Sequence, residues 1–271
     1  MTFVNPIRAP TGFEIRKLEE KHADWAAAII SHSNVFHSPV WARLYPDEQT
    51  KRAYATFEAA RSLMALNIAS GLSYGVFDTN YQFKRPESAA EGGKLYWDTS
   101  ANGLHATGAD LIEQMDFPLA SIAMAYDAGD PTRDGTEWAP LVACLPRFAT
   151  LFHVIMEGDG RDPEAKKPKS MGVVVERGGT STRRDYEGRG LAKAMGHFVL
   201  YEWANQGFRV MQVGAANQGV VNIFTKPPAP FKGEIVARMK TLEYEEEVDG
   251  EKIRPFAVCG DVPCVDDGNL S

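Results

Sequence analysis

One continuous run in the C-terminal third constrains this chain more than any other feature. SMGVVVERGGTST, from Ser170 to Thr182, reads as a β-strand interrupted at Gly178-Gly179, the usual mark of a bulge or bend. RRDYEGRG then turns the chain on Gly188 and Gly190. GLAKAMGHFVLYEWANQG reads as a helix of roughly four turns, ending at Gly207. FRVMQVGA follows as an apolar strand, and NQGVVNIFTK as a short helix stopped by Pro227 and Pro228. GEIVARMKTLEYEEEVDGEKIRPFAVCG closes the run as a hairpin with its turn at Asp249-Gly250. The order is a mixed α/β layout and not a repeated βαβ array.

Upstream, GFEIRKL (12–18) alternates as a short strand. HADWAAAII is helical, with Asp24 in its first turn. A second helix is expected over about 47–68, a strand in GLSYGVFDTNY (71–81), and another in FPLASIAMAYD (117–127). Between these strands, 82–116 is polar and glycine-rich and reads as an insertion or mobile loop. An apolar helix over about 139–157 is broken or kinked at Pro146, and GDGRDPEAKKPKS is a solvated linker. No repeat is visible, and one domain over 1–271 is expected.

Composition excludes several classes of function. A formal charge of −7 argues against a nucleic-acid partner, whose phosphates call for a basic face. No run of about 18 apolar residues exists to span a membrane, and the first twenty residues have no signal-peptide pattern. Cys144, Cys259 and Cys264 are too few for a disulfide framework. CGDVPC lacks a second cysteine or histidine pair, so its cysteines read as plain thiols and no metal is expected. A reducing cytoplasm is the expected location.

The glycine turn has two readings. A turn into a helix exposes unpaired N–H groups at the positive end of the helix dipole, a site for anions. Gly188 and Gly190 give a phosphate close access to the backbone, and Arg183, Arg184 and Arg189 add positive charge. The other reading is a tight turn with surface arginines. The dinucleotide fingerprint G-x-G-x-x-G needs glycine where Lys193 stands, and G-x-x-x-x-G-K-[ST] is absent.

EGRGLA places Gly190 and Ala192 on the last two defined positions of R/Q-x-x-G-x-G/A. With the helix, strand and Asn217 that follow, the chain resembles the GNAT superfamily of acyl-CoA-dependent N-acetyltransferases over about 171–259. GFEIRKLEEKHADWAAAI is similar, more faintly, to that family's first strand and helix. The resemblance implies a mostly antiparallel mixed central sheet flanked by helices, with insertions in the N-terminal half. It implies acetyl-CoA or another acyl-CoA as co-substrate and no metal. Backbone N–H groups of Gly188, Arg189, Gly190, Leu191 and Ala192 would hold the pyrophosphate. The strand ending at Ser181 and Thr182 would pair with the pantetheine arm and splay after its bulge into a V-shaped slot. An N–H of that strand would polarise the thioester carbonyl. Asn217 would lie near the cofactor, or serve as a helix N-cap, and the two are compatible.

Two positions depart from the family pattern. Glu187 stands where the family has Arg or Gln, and Phe224 stands seven residues after Asn217, where many members carry a proton-donating tyrosine. Amine acylation also needs a base. Glu176 is the first candidate: its even spacing from Thr182 puts the two on one side of a regular strand. Its alternative is a surface carboxylate paired with Arg177. Asp127, Tyr126 and His153 are further candidates, although His153 reads as a packed core residue. His32 and His37 lack metal-ligand spacing and read as loop residues. No G-x-S-x-G element points to a serine hydrolase. The function expected is N-acyl transfer from acyl-CoA to a small-molecule amine, by a monomer or homodimer. The alternative is a GNAT-like scaffold that has lost transfer and catalyses decarboxylation or cyclisation, or only binds a ligand.

Overall fold

The computed structural model describes residues 2–162, 168 and 170–268. Its frame is a seven-stranded sheet made from β1 (Phe13–Lys17), β2 (Tyr74–Asp78), β5 (Leu119–Asp127), β6 (Val174–Thr182), β7 (Val210–Ala215), β8 (Ile235–Lys240) and β11 (Pro263–Gly268). The strand order is β1-β2-β5-β6-β7-β11-β8. Every neighbouring pair is antiparallel except β6 and β7. Those two are joined by α8 (Leu191–Asn205), and a helical crossover is what parallel neighbours require.

Both faces of the sheet are covered. On one face α8 and α9 (Gln218–Thr225) bury Leu191, Met195, Val199, Trp203 and Phe224 against Ala123, Ala125, Val175, Met211 and Val213. Trp203 is fully buried and its Nε1 donates to the Leu72 carbonyl at 3.1 Å, so its polar atom is satisfied. On the other face α1 (Ala23–His32) and α3 (Gln49–Ala69) pack on Leu119, Ile122 and Met124. The apolar stretch after β5 forms α6 (Ala139–Cys144) and α7 (Arg147–Gly158), separated at Pro146. Proline cannot continue the hydrogen-bond ladder there. A short α2 (Trp41–Leu44) and α7 cover β8 and β11 through a third cluster around Phe256, Cys259 and Cys264. Among the described residues no helix is long and apolar enough to cross a membrane.

Two sequence expectations need correction. The region 82–116 is folded and not a mobile loop. It contains α4 (Pro86–Glu91), α5 (Gly108–Glu113), and the two-stranded pair β3 (Lys94–Leu95) with β4 (Met115–Asp116). The fully buried Asp116 carboxylate anchors it, accepting from the backbone N–H groups of Lys84 and Arg85 and from the Tyr81 hydroxyl. The expected C-terminal hairpin is also smaller. Asp249 and Gly250, both at positive φ, connect β9 (Glu246–Val248) to β10 (Glu251–Ile253). β8 instead joins the main sheet, where it pairs with β11. Of the expected solvated linker, 163–167 and 169 lie outside the described residues.

Candidate functional site

The site begins with a divergence of two strands. β6 and β7 are paired only from Val174 to Glu176, opposite Val210 to Gln212. Beyond that point β6 stays with β5 as far as Thr182, while β7 follows β11. The parallel neighbours therefore part, and a cleft of about 840 Å³ opens beyond them, within the usual size of a small-molecule site. Thr180, Ser181 and Thr182 form one wall, and Gly188, Gly190, Leu191, Ala192 and Lys193 the end. Asn217, Val220, Asn222 and Lys226 line the other side.

The end wall is shaped for an anion. Gly190 caps α8 at φ 76°, a left-handed conformation that glycine adopts without the usual side-chain penalty. Gly188 also has φ 76°, and a Cβ at either glycine would meet open space. The first helical bond runs from Ala194 N–H to the Gly190 carbonyl. The N–H groups of Leu191, Ala192 and Lys193 thus precede the helical ladder, at the positive end of the dipole. Lys193, Lys226 and Arg184 bring positive charge to the same cleft.

The structure separates the sequence candidates. Ser181, Thr182, Gly188, Gly190, Leu191, Ala192 and Asn217 all line this one cleft. Arg189 does not: its guanidinium folds back over the Tyr186 ring, 4.8 Å from the centroid, and donates to the Asp185 carbonyl. Arg183 is also withdrawn. It is buried, pairs with Asp185 at 2.8 Å and donates to the Phe117 carbonyl, which makes it a structural anchor and not a phosphate ligand. Glu187 stays at the cleft, but Arg184 pairs with it at 2.5 Å and offsets its charge. Asn217 N-caps α9, its Oδ1 accepting from Gly219 N–H at 2.7 Å, while also lining the cleft.

Glu176 and Asp127 come out differently. Glu176 stands at the throat where β6 and β7 part, beside Tyr126 on β5 and Gln212 on β7, on the face covered by α3 and α7. Burial pushes its carboxyl up to about 8, the Asp266 carboxylate adds to the shift, and Arg177 opposes it. Protonation near neutral pH suits a group that must take and return a proton. Glu176 and Thr182 do not share a side as expected, because the β5 register slips by one residue at Gly178. Asp127 is committed elsewhere. Its two carboxylate oxygens accept the N–H groups of Gly129 and Gly172, at 2.9 and 2.6 Å, so it fastens a turn on the opposite face.

Three histidine expectations also change. His153 is exposed on α7 and pairs with Glu157 at 3.2 Å instead of packing in the core. α1 continues through one turn of π-helix, Ser33–His37, which carries Ser33 and His37 into the cleft wall. His32 is buried, bonded to the Gly108 carbonyl, and burial pulls its imidazole down to about 4. Sequence reading missed His37, Lys193 and Lys226 as cleft residues. Only Lys193, in the first turn after Gly190, carried a positional signal. Among the described residues no group of three His, Cys, Asp or Glu side chains could hold a metal ion.

No family model matches this chain, and no curated protein matches it in sequence. Solved structures do match its fold. The C-terminal condensation domain of Ebony, solved with beta-alanyl-dopamine, superposes with a TM-score of 0.60 at 15% identity, covering 96% of this chain and 99% of that one. Arylalkylamine N-acetyltransferase 2 from Aedes aegypti gives 0.56 at 12% identity, again over 96% and 99%. The putative arylalkylamine N-acetyltransferase 7 of that mosquito gives 0.56 at 11% identity over 95% and 87%.

Proposed function

We propose that this chain, which has the α/β fold of the GNAT acetyltransferases, is an acyl-CoA-dependent N-acyltransferase for a small-molecule amine, with acetyl-CoA the first choice of donor. One observation carries the reading. β6 and β7 part beyond Glu176, the cleft that opens past the parting ends at a helix N-terminus suited to an anion, and the carboxyl at the parting has its pKa pushed up to about 8.

Each part of the cleft has a task in that reaction. The N–H groups of Leu191 to Lys193, with Lys193 and Lys226, receive the pyrophosphate. The edge of β6 from Thr180 to Thr182, unpaired toward β7, receives the pantetheine amides as a strand would. In this reading the thioester lies at the throat, and the acceptor meets Glu176 from the side of the sheet covered by α3 and α7. Glu176 takes a proton from the ammonium. The amine nitrogen attacks the acyl carbon, the C–S bond breaks and the sulfur leaves as thiolate; the nitrogen then gives up its second proton, which the thiolate takes up, leaving a neutral amide and free CoA thiol. Aromatic residues Tyr126, Trp138, Phe148 and Phe152 on that side suit an amine with an apolar or aromatic body. The arylalkylamine acetyltransferases and the dopamine amide in the Ebony domain support an amine of that kind.

Phe224 favours a second reading. It is buried on α9 where the resembled family often carries tyrosine, and it has no proton to give. A GNAT-fold protein without transfer would bind a thioester for decarboxylation or cyclisation, or bind a ligand only. Calorimetric titration with acetyl-CoA and with free CoA, followed by an amine screen, separates the readings. Micromolar binding of both ligands and amide formation support transfer. Binding without amide formation supports the second reading, and no binding at millimolar ligand overturns transfer and leaves the second reading with a ligand other than CoA.

A further inference from the structure

We propose that Arg177 supplies the positive charge that stabilises the departing thiolate, a role that rests on the acyl-transfer reading above. Neighbouring residues of a strand face opposite sides of a sheet. Glu176 and Arg177 are neighbours at the throat, so the strand that directs a carboxyl to the acceptor side directs a guanidinium to the α8 side. There Arg177 is 6% exposed and lies over the rings of Trp203 and Phe224, 5.4 and 5.2 Å from their centroids. Its Nη2 donates to the Thr180 hydroxyl, and Thr180 is part of the cleft wall. Its Nε and Nη1 are buried without a hydrogen-bond partner among the described residues.

A buried cation with two unmatched donors is expensive to maintain and calls for an anion. Glu176, when ionised, acts on it from the other face of the strand. Burial lowers the guanidinium to about 10, which leaves it charged at neutral pH. When the C–S bond breaks, its electron pair goes to sulfur at the same throat, and the ammonium proton is already on Glu176. Phe224, stacked on the same guanidinium, cannot protonate that sulfur. Charge therefore replaces proton donation at the leaving group, and the thiolate regains a proton after the amide has formed.

Free CoA tests this without any acceptor. The thiol of bound CoA is titrated by the ultraviolet absorbance of its thiolate, as a difference from protein without CoA. Desolvation alone raises a thiol pKa, whereas a cation within a few ångströms lowers it by about one unit or more. The expected result is a thiol titrating at least that far below free CoA in the wild type. The shift should persist in Arg177→Lys, which keeps the charge, and vanish in Arg177→Met. Retention of the shift in Arg177→Met would overturn the role. So would an unshifted thiol on the wild-type protein, however the Met variant folds. Failure of CoA to bind the wild type would overturn the acyl-CoA reading as well; bound CoA with an unshifted thiol overturns only this inference.

Discussion

Glu176 and Thr182 lie on opposite faces of β6 although six positions separate them. Thr182 pairs with Ser121 and Glu176 with Tyr126, only five positions apart on β5, because β6 has one extra residue at its Gly178 bulge. One inserted residue inverts the facing of everything beyond it. The bulge therefore sends the hydroxyl of Thr182 and the carboxyl of Glu176 to different sides of the sheet. The Glu176 carboxyl thus faces the side covered by α3 while Thr180 to Thr182 line the cleft.

Glu176→Gln should lower the transfer rate by about 10²–10⁴-fold, the usual share of a general base, while CoA affinity measured by calorimetry stays the same. In the wild type kcat/KM should climb with pH and level off above about 8, where the free carboxyl has lost its proton. Stability should run the other way. The unfolded chain releases this proton near 4.5 and the folded one near 8. Between those values the native state holds the extra proton, so stability falls as pH rises, by up to about 1.4 kcal/mol per pH unit. Denaturant titrations of wild type and Glu176→Gln should diverge across that window, with the variant gaining relative stability. Parallel curves would mean the carboxyl is solvated.

Gly190→Ala should separate binding from folding. The added Cβ meets open space in the protein, so the cost to stability is the strain of a left-handed alanine, about 1–2 kcal/mol. That same space is where a phosphate would approach the helix end. CoA affinity should fall about tenfold or more, equivalent to at least about 1.4 kcal/mol. An unchanged Kd would make the loop an ordinary turn.

The order of strand, glycine turn, helix and strand was legible because each element had its own periodicity and glycine marked the joints. Less legible were features decided by distant parts of the chain. β11 has only Val265 and Cys264 as apolar residues before Asp266, and its burial between β7 and β8 comes from tertiary pairing. His37 reaches the cleft because α1 runs on into a π turn, and Arg183 is buried despite its polar neighbours because Asp185 and the Phe117 carbonyl receive it. The facing of Glu176 depended on the bulge having one extra residue, which a Gly-Gly pair suggests without fixing the side. In 82–116 the local helix signals are present in the sequence although its composition is that of a loop. Pro86 opens α4, and Thr107 and Asp110 form a capping box at α5.

Arg184 and Glu187 should act as a compensating pair at the cleft mouth. Arg184→Ala leaves Glu187 uncovered beside the anion site and should weaken CoA binding by about tenfold at low salt. Glu187→Gln frees Arg184 and should strengthen it severalfold. Both side chains are partly exposed, so protein stability should move by less than about 1 kcal/mol in either variant. Raising the salt to about 1 M, where the screening length is about 3 Å, should bring the three affinities together. Differences that survive high salt would point to a reshaped loop instead of charge.

Gly178→Ala tests how tightly the bulge is fitted to the acceptor side. Asn67, fully buried on α3, accepts from Arg133 Nη2 through Oδ1 at 2.6 Å, which fixes its amide with Nδ2 toward the bulge. A Cβ on Gly178 would come within 2.5 Å of Nδ2, closer than real contacts allow. Asn67 must therefore swing away and release Arg133, which keeps its 2.8 Å pair with Glu137. Overpacking and a lost buried hydrogen bond together should cost about 1–3 kcal/mol in urea titrations. Asn67→Ala removes the obstacle, so the double variant should be less destabilised than the sum of the singles, by about 1 kcal/mol. CoA affinity should change little, while transfer falls, because the displaced side chains border Glu176 and not the pyrophosphate end. Additive stabilities would mean that the bulge has room to spare, and that Asn67 and Gly178 are neighbours without mechanical coupling.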